Sequence, residues 1–156
     1  MTKSLKEGDK APAFTLDADG GGSVSLKDFA GQTLVLYFYP KDDTTGCTKE
    51  AQGFTEKLRE FKKLGAAVVG VSKDSPETHD KFKAKYRLKL QLGSDADAKT
   101  IQNYGVWVEK SLYGRRYMGI DRSTFLIDGK GVIRKIWRKV KVPGHIDEVL
   151  EALQAL

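Results

Sequence analysis

The chain has 156 residues and a net charge of +6, from 27 lysines and arginines against 21 aspartates and glutamates. Its residues are 40% hydrophobic, but no apolar run approaches the roughly 20 residues of a membrane span, which excludes a transmembrane protein. This length is typical of one globular domain, so residues 1–156 are predicted to form a single domain. The N-terminus lacks the apolar stretch of a secretory signal, which predicts a cytoplasmic protein.

The first predicted element is an N-terminal β-hairpin. Its two short segments, 13–16 and 23–26, are separated by glycines at 20–22, and glycines with nearby aspartates are typical of a turn. Residues 34–39 form an unbroken run of aliphatic and aromatic side chains, which indicates a strand covered on both faces. Proline has no N–H to donate to a sheet, so Pro40 is expected to end this strand.

A helix with one apolar face is predicted after that strand. Its apolar positions recur at steps of three and four residues, the period of an α-helix. They are Cys47, Ala51, Phe54, Leu58 and Phe61. Residues 66–71 form a second buried strand, and strand, helix and strand in this order make a parallel βαβ unit with a right-handed crossover.

Further helices and a second hairpin are predicted in the rest of the chain. Ser-Pro is a helix-start signal before 76–86, and 98–104 is another candidate helix. Strands 123–128 and 132–137 flank a glycine turn, which predicts an antiparallel hairpin. The apolar face of a C-terminal helix is formed by Ile146, Val149, Leu150 and Leu153. These elements predict an α/β protein of thioredoxin-like fold: a central mixed β-sheet flanked by helices on both faces, with an N-terminal β-hairpin extension.

The one cysteine of the chain, Cys47, lies where the first buried strand leads into a helix. Ligands of open α/β sheets gather beyond the carboxyl ends of the strands. The positive end of the helix dipole and free N–H groups of the first turn favour a thiolate, the nucleophilic form. Polar neighbours favour an accessible, reactive thiol. Because Cys47 shares the phase of the apolar helix face, a buried structural cysteine is the alternative.

A single cysteine excludes an internal disulfide and a metal cage built from cysteines. The two histidines, His79 and His145, fall in polar sequence surroundings at helix starts and have no recognisable spacing to carboxylates. We therefore expect no metal site, no cofactor and no catalytic histidine.

The residues around Cys47 resemble a known family. Pro-Lys-Asp-Asp-Thr-Thr-Gly-Cys-Thr at 40–48 fits the Pro-x-x-x-Thr-x-x-Cys signature of the peroxiredoxins. Glu50 and the segments 8–14 and 119–128 are also similar to that family, especially to its peroxiredoxin Q or bacterioferritin comigratory protein branch. The resemblance covers nearly the whole chain and implies a thiol-dependent peroxidase that reduces hydrogen peroxide and organic hydroperoxides.

The resemblance also implies a role for four residues. Cys47 corresponds to the peroxidatic cysteine, and the hydroxyl of Thr44 would orient the thiolate and the peroxide. Arg122 would lie beside the sulfur and the substrate oxygen, where it stabilises the charge that moves along the breaking O–O bond. Pro40 would shield the sulfur from water. Without the resemblance, Arg122 is a surface arginine at a strand end and Pro40 only ends a strand.

The chain departs from the family where many members carry a resolving cysteine. Those positions hold Gln52 and Lys83 here. A sulfenic acid on Cys47 must therefore react with an external thiol, and the sequence does not choose among thioredoxin, glutaredoxin and glutathione. A peroxide sensor that passes its oxidation to a partner protein is an alternative. The oligomeric state is not predicted.

Three other features of the sequence have a possible functional interpretation. The basic stretch 134–141 is compatible with a non-enzymatic nucleic-acid-binding module. However, lysines and arginines are scattered along the whole chain, and such charges also prevent sheet edges from pairing with neighbouring proteins. Nucleic-acid binding is therefore the weaker alternative. Residues 111–118 are interpreted as a mobile loop near Arg122. Four aromatic residues are candidates for a hydroperoxide-tail pocket, although core or edge packing is favoured for them: Trp107, Tyr113, Tyr117 and Trp137.

Overall fold

The computed structural model describes residues 5–156. Its strands are β1 (Thr15–Ala18), β2 (Ser23–Ser25), β3 (Thr33–Phe38), β4 (Ala66–Ser72), β5 (Gln91–Ser94), β6 (Trp107–Leu112), β7 (Arg115–Ile120), β8 (Ser123–Ile127) and β9 (Ile133–Trp137). Its α-helices are α1 (Thr45–Glu56), α2 (Leu58–Lys63), α3 (Pro76–Tyr86), α4 (Lys99–Asn103) and α5 (His145–Gln154). None of these helices has the length and apolar character needed to cross a membrane.

Seven strands form one mixed sheet in the order β2-β1-β5-β4-β3-β8-β9. The central strands β3, β4 and β5 are parallel, and β8 runs antiparallel to β3. Parallel β3 and β4 are joined through α1 and α2, as the predicted βαβ unit requires. The hairpins β1–β2 and β8–β9 are also present.

Both faces of the sheet are covered, which explains why β3 is apolar without alternation. Leu36 and Phe38 point into a core that includes Ile101 of α4 and the N-terminal hairpin. Val35 and Tyr37 point into the opposite core, formed with α1, α2, α3 and α5. The predicted thioredoxin-like fold, with helices on both faces of a mixed sheet, is confirmed.

Three details differ from the sequence predictions. The helix predicted to run through Phe61 is interrupted at Lys57, whose backbone (φ −98°, ψ 7°) separates α1 from α2. Strand β5 was not predicted, because its four residues are too few to show the hydrophobic pattern of a strand. The segment 111–118 belongs to the antiparallel β6–β7 hairpin, so the prediction of a loop there is wrong.

Candidate active site

Cys47 occupies the first turn of α1, directly after the loop that leaves the carboxyl end of β3. Thr44 is the N-cap residue of the helix, and its carbonyl accepts a 2.8 Å hydrogen bond from the N–H of Thr48. The side chain of Cys47 follows the apolar phase of the helix and is only 1% exposed. The prediction of an accessible thiol is therefore wrong for this conformation, because the helix face that carries Cys47 packs on the core.

Arg122 lies against the buried sulfur. Its Nη2 donates a 3.2 Å hydrogen bond to Cys47 Sγ. The pairing of Ser123 with Phe38 sets the start of β8 beside the end of β3 and thereby brings the preceding residue, Arg122, to this loop. A Cβ added at Gly46 would lie 3.1 Å from Nη2, so the absence of a side chain at that position lets the guanidinium approach. A guanidinium at this distance favours negative charge on the sulfur.

A buried carboxyl holds the other side of the guanidinium. Arg122 Nη1 donates to Glu50 Oε1 at 2.6 Å, and the side chain of Glu50 is 0% exposed. Burial raises the pKa of Glu50 to about 7, although the charge and hydrogen bond of Arg122 act in the opposite direction. Burial also disfavours the charge on Arg122, but Glu50 and Cys47 together raise the pKa of its guanidinium above the ordinary value. The guanidinium thus bridges a carboxyl and the sulfur.

The importance of Glu50 was underestimated by the sequence reasoning, which noted it only as part of a resemblance. One signal was present. Glu50 follows Cys47 by three residues, a spacing that places both side chains on one helix face. A charged residue on the buried face of a helix needs a partner of opposite charge, which here is Arg122.

Thr44 and Pro40 lie in the loop that leads to Cys47. Thr44 Oγ1 donates a 2.8 Å hydrogen bond to the carbonyl of Lys41, a local turn that shapes the start of α1. Pro40 is half-buried and follows β3, as expected for a residue that ends a strand. The part that Thr44 and Pro40 take in the reaction remains a prediction.

A second network of buried hydrogen bonds anchors the loop between β3 and α1. Asp42 Oδ1 accepts a 2.6 Å hydrogen bond from Tyr39 Oη, and Asp42 Oδ2 lies 2.6 Å from His79 Nδ1. The other ring nitrogen of His79 lies 2.9 Å from the carbonyl of Gly93. Both nitrogens face acceptors, so His79 donates from both as an imidazolium. Burial opposes that charge, but the hydrogen bond and charge of Asp42 raise the pKa of His79 above its ordinary value.

Both histidines are buried, although polar residues surround them in the sequence. His79 is 0% exposed and His145 is 3% exposed. His145 Nε2 lies 2.8 Å from Thr124 Oγ1, and its ring meets the edge of Trp137. Burial, together with the positive charge of Arg122, lowers the pKa of His145 to about 4. His145 is therefore neutral at physiological pH.

The four aromatic candidates have different environments. Trp137 packs against a core cluster, and Trp107 is partly buried under the ammonium of Lys73, 4.9 Å from the ring centre. Packing is thus confirmed for the two tryptophans. The packing prediction is wrong for Tyr113, which is 98% exposed, whereas Tyr117 is about half exposed, at 48%. Within residues 5–156, no group of three or more His, Cys, Asp or Glu side chains is placed to hold a metal ion.

Comparison with known proteins assigns the chain to a family. Residues 7–136 match the AhpC/TSA family. The chain belongs to this family of peroxiredoxins. A putative peroxiredoxin Bcp of Coxiella burnetii is 51% identical over 150 residues, which cover 96% of this chain and 99% of that protein. The peroxiredoxin is therefore a thiol-dependent peroxidase of the Bcp or peroxiredoxin Q branch, as its sequence signature implied.

Solved structures agree with this placement. A mutant of peroxiredoxin Q from Xylella fastidiosa is 41% identical and superposes with a TM-score of 0.93, over 98% of each chain. A bacterioferritin comigratory protein of Xanthomonas campestris, described for its alkyl peroxide reduction activity, is 46% identical with a TM-score of 0.87. That match covers 91% of this chain and 90% of the Xanthomonas chain.

The bridge through Arg122 predicts a pH-dependent positioning role for Glu50. Glu50→Ala should slow the reaction of Cys47 with hydrogen peroxide by about tenfold, because the guanidinium loses a charge-assisted hydrogen bond. Glu50→Gln should retain most of the rate, since its amide oxygen can still accept from Nη1. As the pH rises through about 7, ionisation of Glu50 strengthens the bridge. In stopped-flow measurements, the rate of the wild-type reaction with hydrogen peroxide should therefore rise more steeply around pH 7 than the rate of Glu50→Gln. Parallel pH profiles of the two proteins would contradict a positioning role for Glu50.

Proposed function

We propose that this peroxiredoxin reduces hydrogen peroxide and organic hydroperoxides through a sulfenic acid on Cys47, which an external thiol then recycles. The observation that carries the proposal is the 3.2 Å hydrogen bond from Arg122 Nη2 to Cys47 Sγ. A cation held beside the only sulfur nucleophile of the chain favours the thiolate and is placed for charge that develops on a bound peroxide. The Xanthomonas relative, described for alkyl peroxide reduction, supports the organic substrates.

The proposed oxidation step has one nucleophile and one breaking bond. The Cys47 thiolate attacks the terminal peroxide oxygen, an S–O bond forms, and the O–O bond breaks with both electrons going to the leaving oxygen. The leaving oxygen takes a proton and departs as water or an alcohol, while Cys47 becomes a sulfenic acid. Arg122 stabilises the negative charge as it moves along the O–O bond. Thr44 orients the thiolate and peroxide, and Pro40 shields the sulfur from water.

The proposed recycling step uses a thiol from outside the chain. Its sulfur attacks Cys47 Sγ, hydroxide leaves as water after protonation, and a mixed disulfide forms. A second thiol then attacks that disulfide and releases the Cys47 thiolate. The position of a resolving cysteine is held by Lys83, whose ammonium instead pairs with Asp19 at 2.6 Å. Thioredoxin, glutaredoxin and glutathione are the candidate reductants, and a cytoplasmic location remains a prediction.

The proposal is tested by the rate at which reduced protein forms a sulfenic acid. We would mix the protein with hydrogen peroxide or cumene hydroperoxide in a stopped-flow instrument, follow intrinsic fluorescence and trap the product with a sulfenic-acid probe. Complete ionisation alone would accelerate a free cysteine by only about 30-fold at pH 7, given an ordinary thiol pKa near 8.5. We expect a larger acceleration, because Arg122 also stabilises the transition state, and no probe labelling of Cys47→Ser.

An acceleration of 30-fold or less would contradict the proposed peroxidase site. Recycling is measured separately, by adding thioredoxin with its reductase, glutaredoxin with glutathione, or glutathione alone to the oxidised protein. Turnover with one of these systems supports a peroxidase cycle. Fast oxidation with slow recycling in all three would favour the peroxide sensor over the peroxidase.

A further inference from the structure

The β6–β7 hairpin projects beside the active site as a separate two-stranded sheet. Its strands pair with each other and join no strand of the main sheet. Its base is fixed near the sulfur. Ile120, the last residue of β7, is buried, the N–H of Asp121 donates to Val106, and the next residue is Arg122. A partner that docks at the base of this hairpin therefore lies close to the guanidinium that contacts Cys47.

The two faces of the hairpin differ in charge. Lys110 lies opposite Tyr117, and Leu112 lies opposite Arg115, so these four side chains share one face. Within residues 5–156, neither cation of this face forms an ion pair, and its Leu112 and Tyr117 are 57% and 48% exposed. On the other face, the charge of Arg116 is balanced by Glu109. We call the first set, Lys110, Leu112, Arg115 and Tyr117, the basic-apolar face.

The tip of the hairpin carries a conformationally unfavourable residue. The two-residue turn places Tyr113 at φ 51° and Gly114 at φ 77°. Positive φ at both positions is typical of a type I′ turn, in which asparagine or aspartate is the usual first residue. A tyrosine is strained in this conformation, and Tyr113 is 98% exposed. The fold gains nothing from this aromatic side chain, which points to a contact outside the chain.

We propose that the basic-apolar face and Tyr113 dock an acidic protein thiol, which delivers its sulfur to the oxidised Cys47. The inference rests on the proposed function, because a chain with one cysteine needs an external thiol for recycling. Unpaired cations beside exposed apolar groups complement a partner surface that is acidic and apolar. A partner that contacts both the tip and the sulfur must span the roughly 20 Å of the six residues of β7, which a protein can do and a tripeptide thiol cannot.

The test separates oxidation from recycling. The variants are Lys110→Glu with Arg115→Glu, and Tyr113→Asn, and the probe is a thioredoxin of net negative charge. We expect the charge-reversed variant to lower kcat/KM for thioredoxin by about tenfold or more at low salt, with a smaller difference at high salt. Tyr113→Asn should lower it by about fivefold without loss of thermal stability, because asparagine fits the turn. Oxidation by hydrogen peroxide and recycling by dithiothreitol should stay within about twofold of wild type.

The matched control is Lys27→Glu with Lys130→Glu, which makes the same net change of charge. Both lysines are exposed and lie together at the opposite end of the sheet from Cys47. Equal thioredoxin kinetics in the charge-reversed and control variants would overturn the proposal. So would a wild-type protein recycled by glutathione and not by thioredoxin, or a dimer in gel filtration that the hairpin variants dissociate. A wild type that forms no sulfenic acid would instead refute the proposed function.

Discussion

Replacement of Arg122 with alanine is expected to slow the reaction of Cys47 with hydrogen peroxide by about 10²- to 10³-fold. The variant loses the hydrogen bond from Nη2 to the sulfur. It also loses the cation that we propose stabilises the leaving oxygen. In a buried site these interactions have little competition from water, so their loss is large. The measurement is the second-order rate constant for sulfenic acid formation by stopped-flow fluorescence.

Two further variants separate charge from geometry at this position. Arg122→Lys keeps a positive charge but not a planar group that reaches the sulfur and Glu50 together, so it should recover only part of the rate. Arg134→Ala is the control, since its 3.4 Å pair with Asp128 is exposed and lies at the far end of the sheet. If Arg122→Ala reacted within threefold of wild type, Arg122 would not stabilise the transition state.

The second large effect is expected on stability. Asp42→Asn should lower the free energy of unfolding by about 3–5 kcal/mol at pH 6, because it leaves the imidazolium of His79 buried without its counter-charge. Asp42 and His79 are 1% and 0% exposed, so water cannot replace the lost partner. Urea unfolding of the wild type and the variant measures the difference.

The pH dependence of this difference follows from the direction of the pKa shift. The pKa of His79 is raised in the folded protein, so the stability that the pair contributes is fully present below about pH 6.5, the ordinary histidine value. It is lost as the pH rises through the raised folded value. The gap between wild type and Asp42→Asn should therefore narrow at alkaline pH.

Asp43→Asn is the matched control for the same loop. Asp43 pairs with Lys85, but both side chains are exposed, at 42% and 59%. Water compensates for the loss of an exposed pair, so this variant should unfold almost like the wild type at every pH. A pH-independent loss of stability in Asp42→Asn would show that the pair does not contain a charged histidine.

The elements predicted well from sequence are those whose own residues carry the signal. Helix α3 begins at Pro76 and ends at Tyr86, as predicted, because Ser75 caps it through the N–H of Thr78. Strand β3 is recognisable because both of its faces are buried. The β6–β7 hairpin was missed because most of its side chains are exposed. Its strands therefore lack the alternation of apolar and polar residues that identifies a half-buried strand.

The buried polar groups could not be assigned from local patterns. His79 follows polar residues in the first turn of α3, which is typical of an exposed position. Its burial depends on Asp42, 37 residues earlier, and on the carbonyl of Gly93, 14 residues later. A polar side chain becomes compatible with the interior only when such partners exist, and the partners are set by how β5, α3 and the Cys47 loop pack.

From the sequence alone we predicted that Cys47 is the nucleophile, that a buried strand and a helix flank it, and that an external thiol recycles it. These depend on the residues of one segment and on the count of one cysteine. Only the tertiary structure decided how that nucleophile is held. Pairing of β8 with β3 brings Arg122 to Cys47 and Glu50 across 75 and 72 residues. Cys47 and Glu50 are buried and the side chain of Arg122 is only 16% exposed, so the low dielectric of their surroundings strengthens each interaction between them.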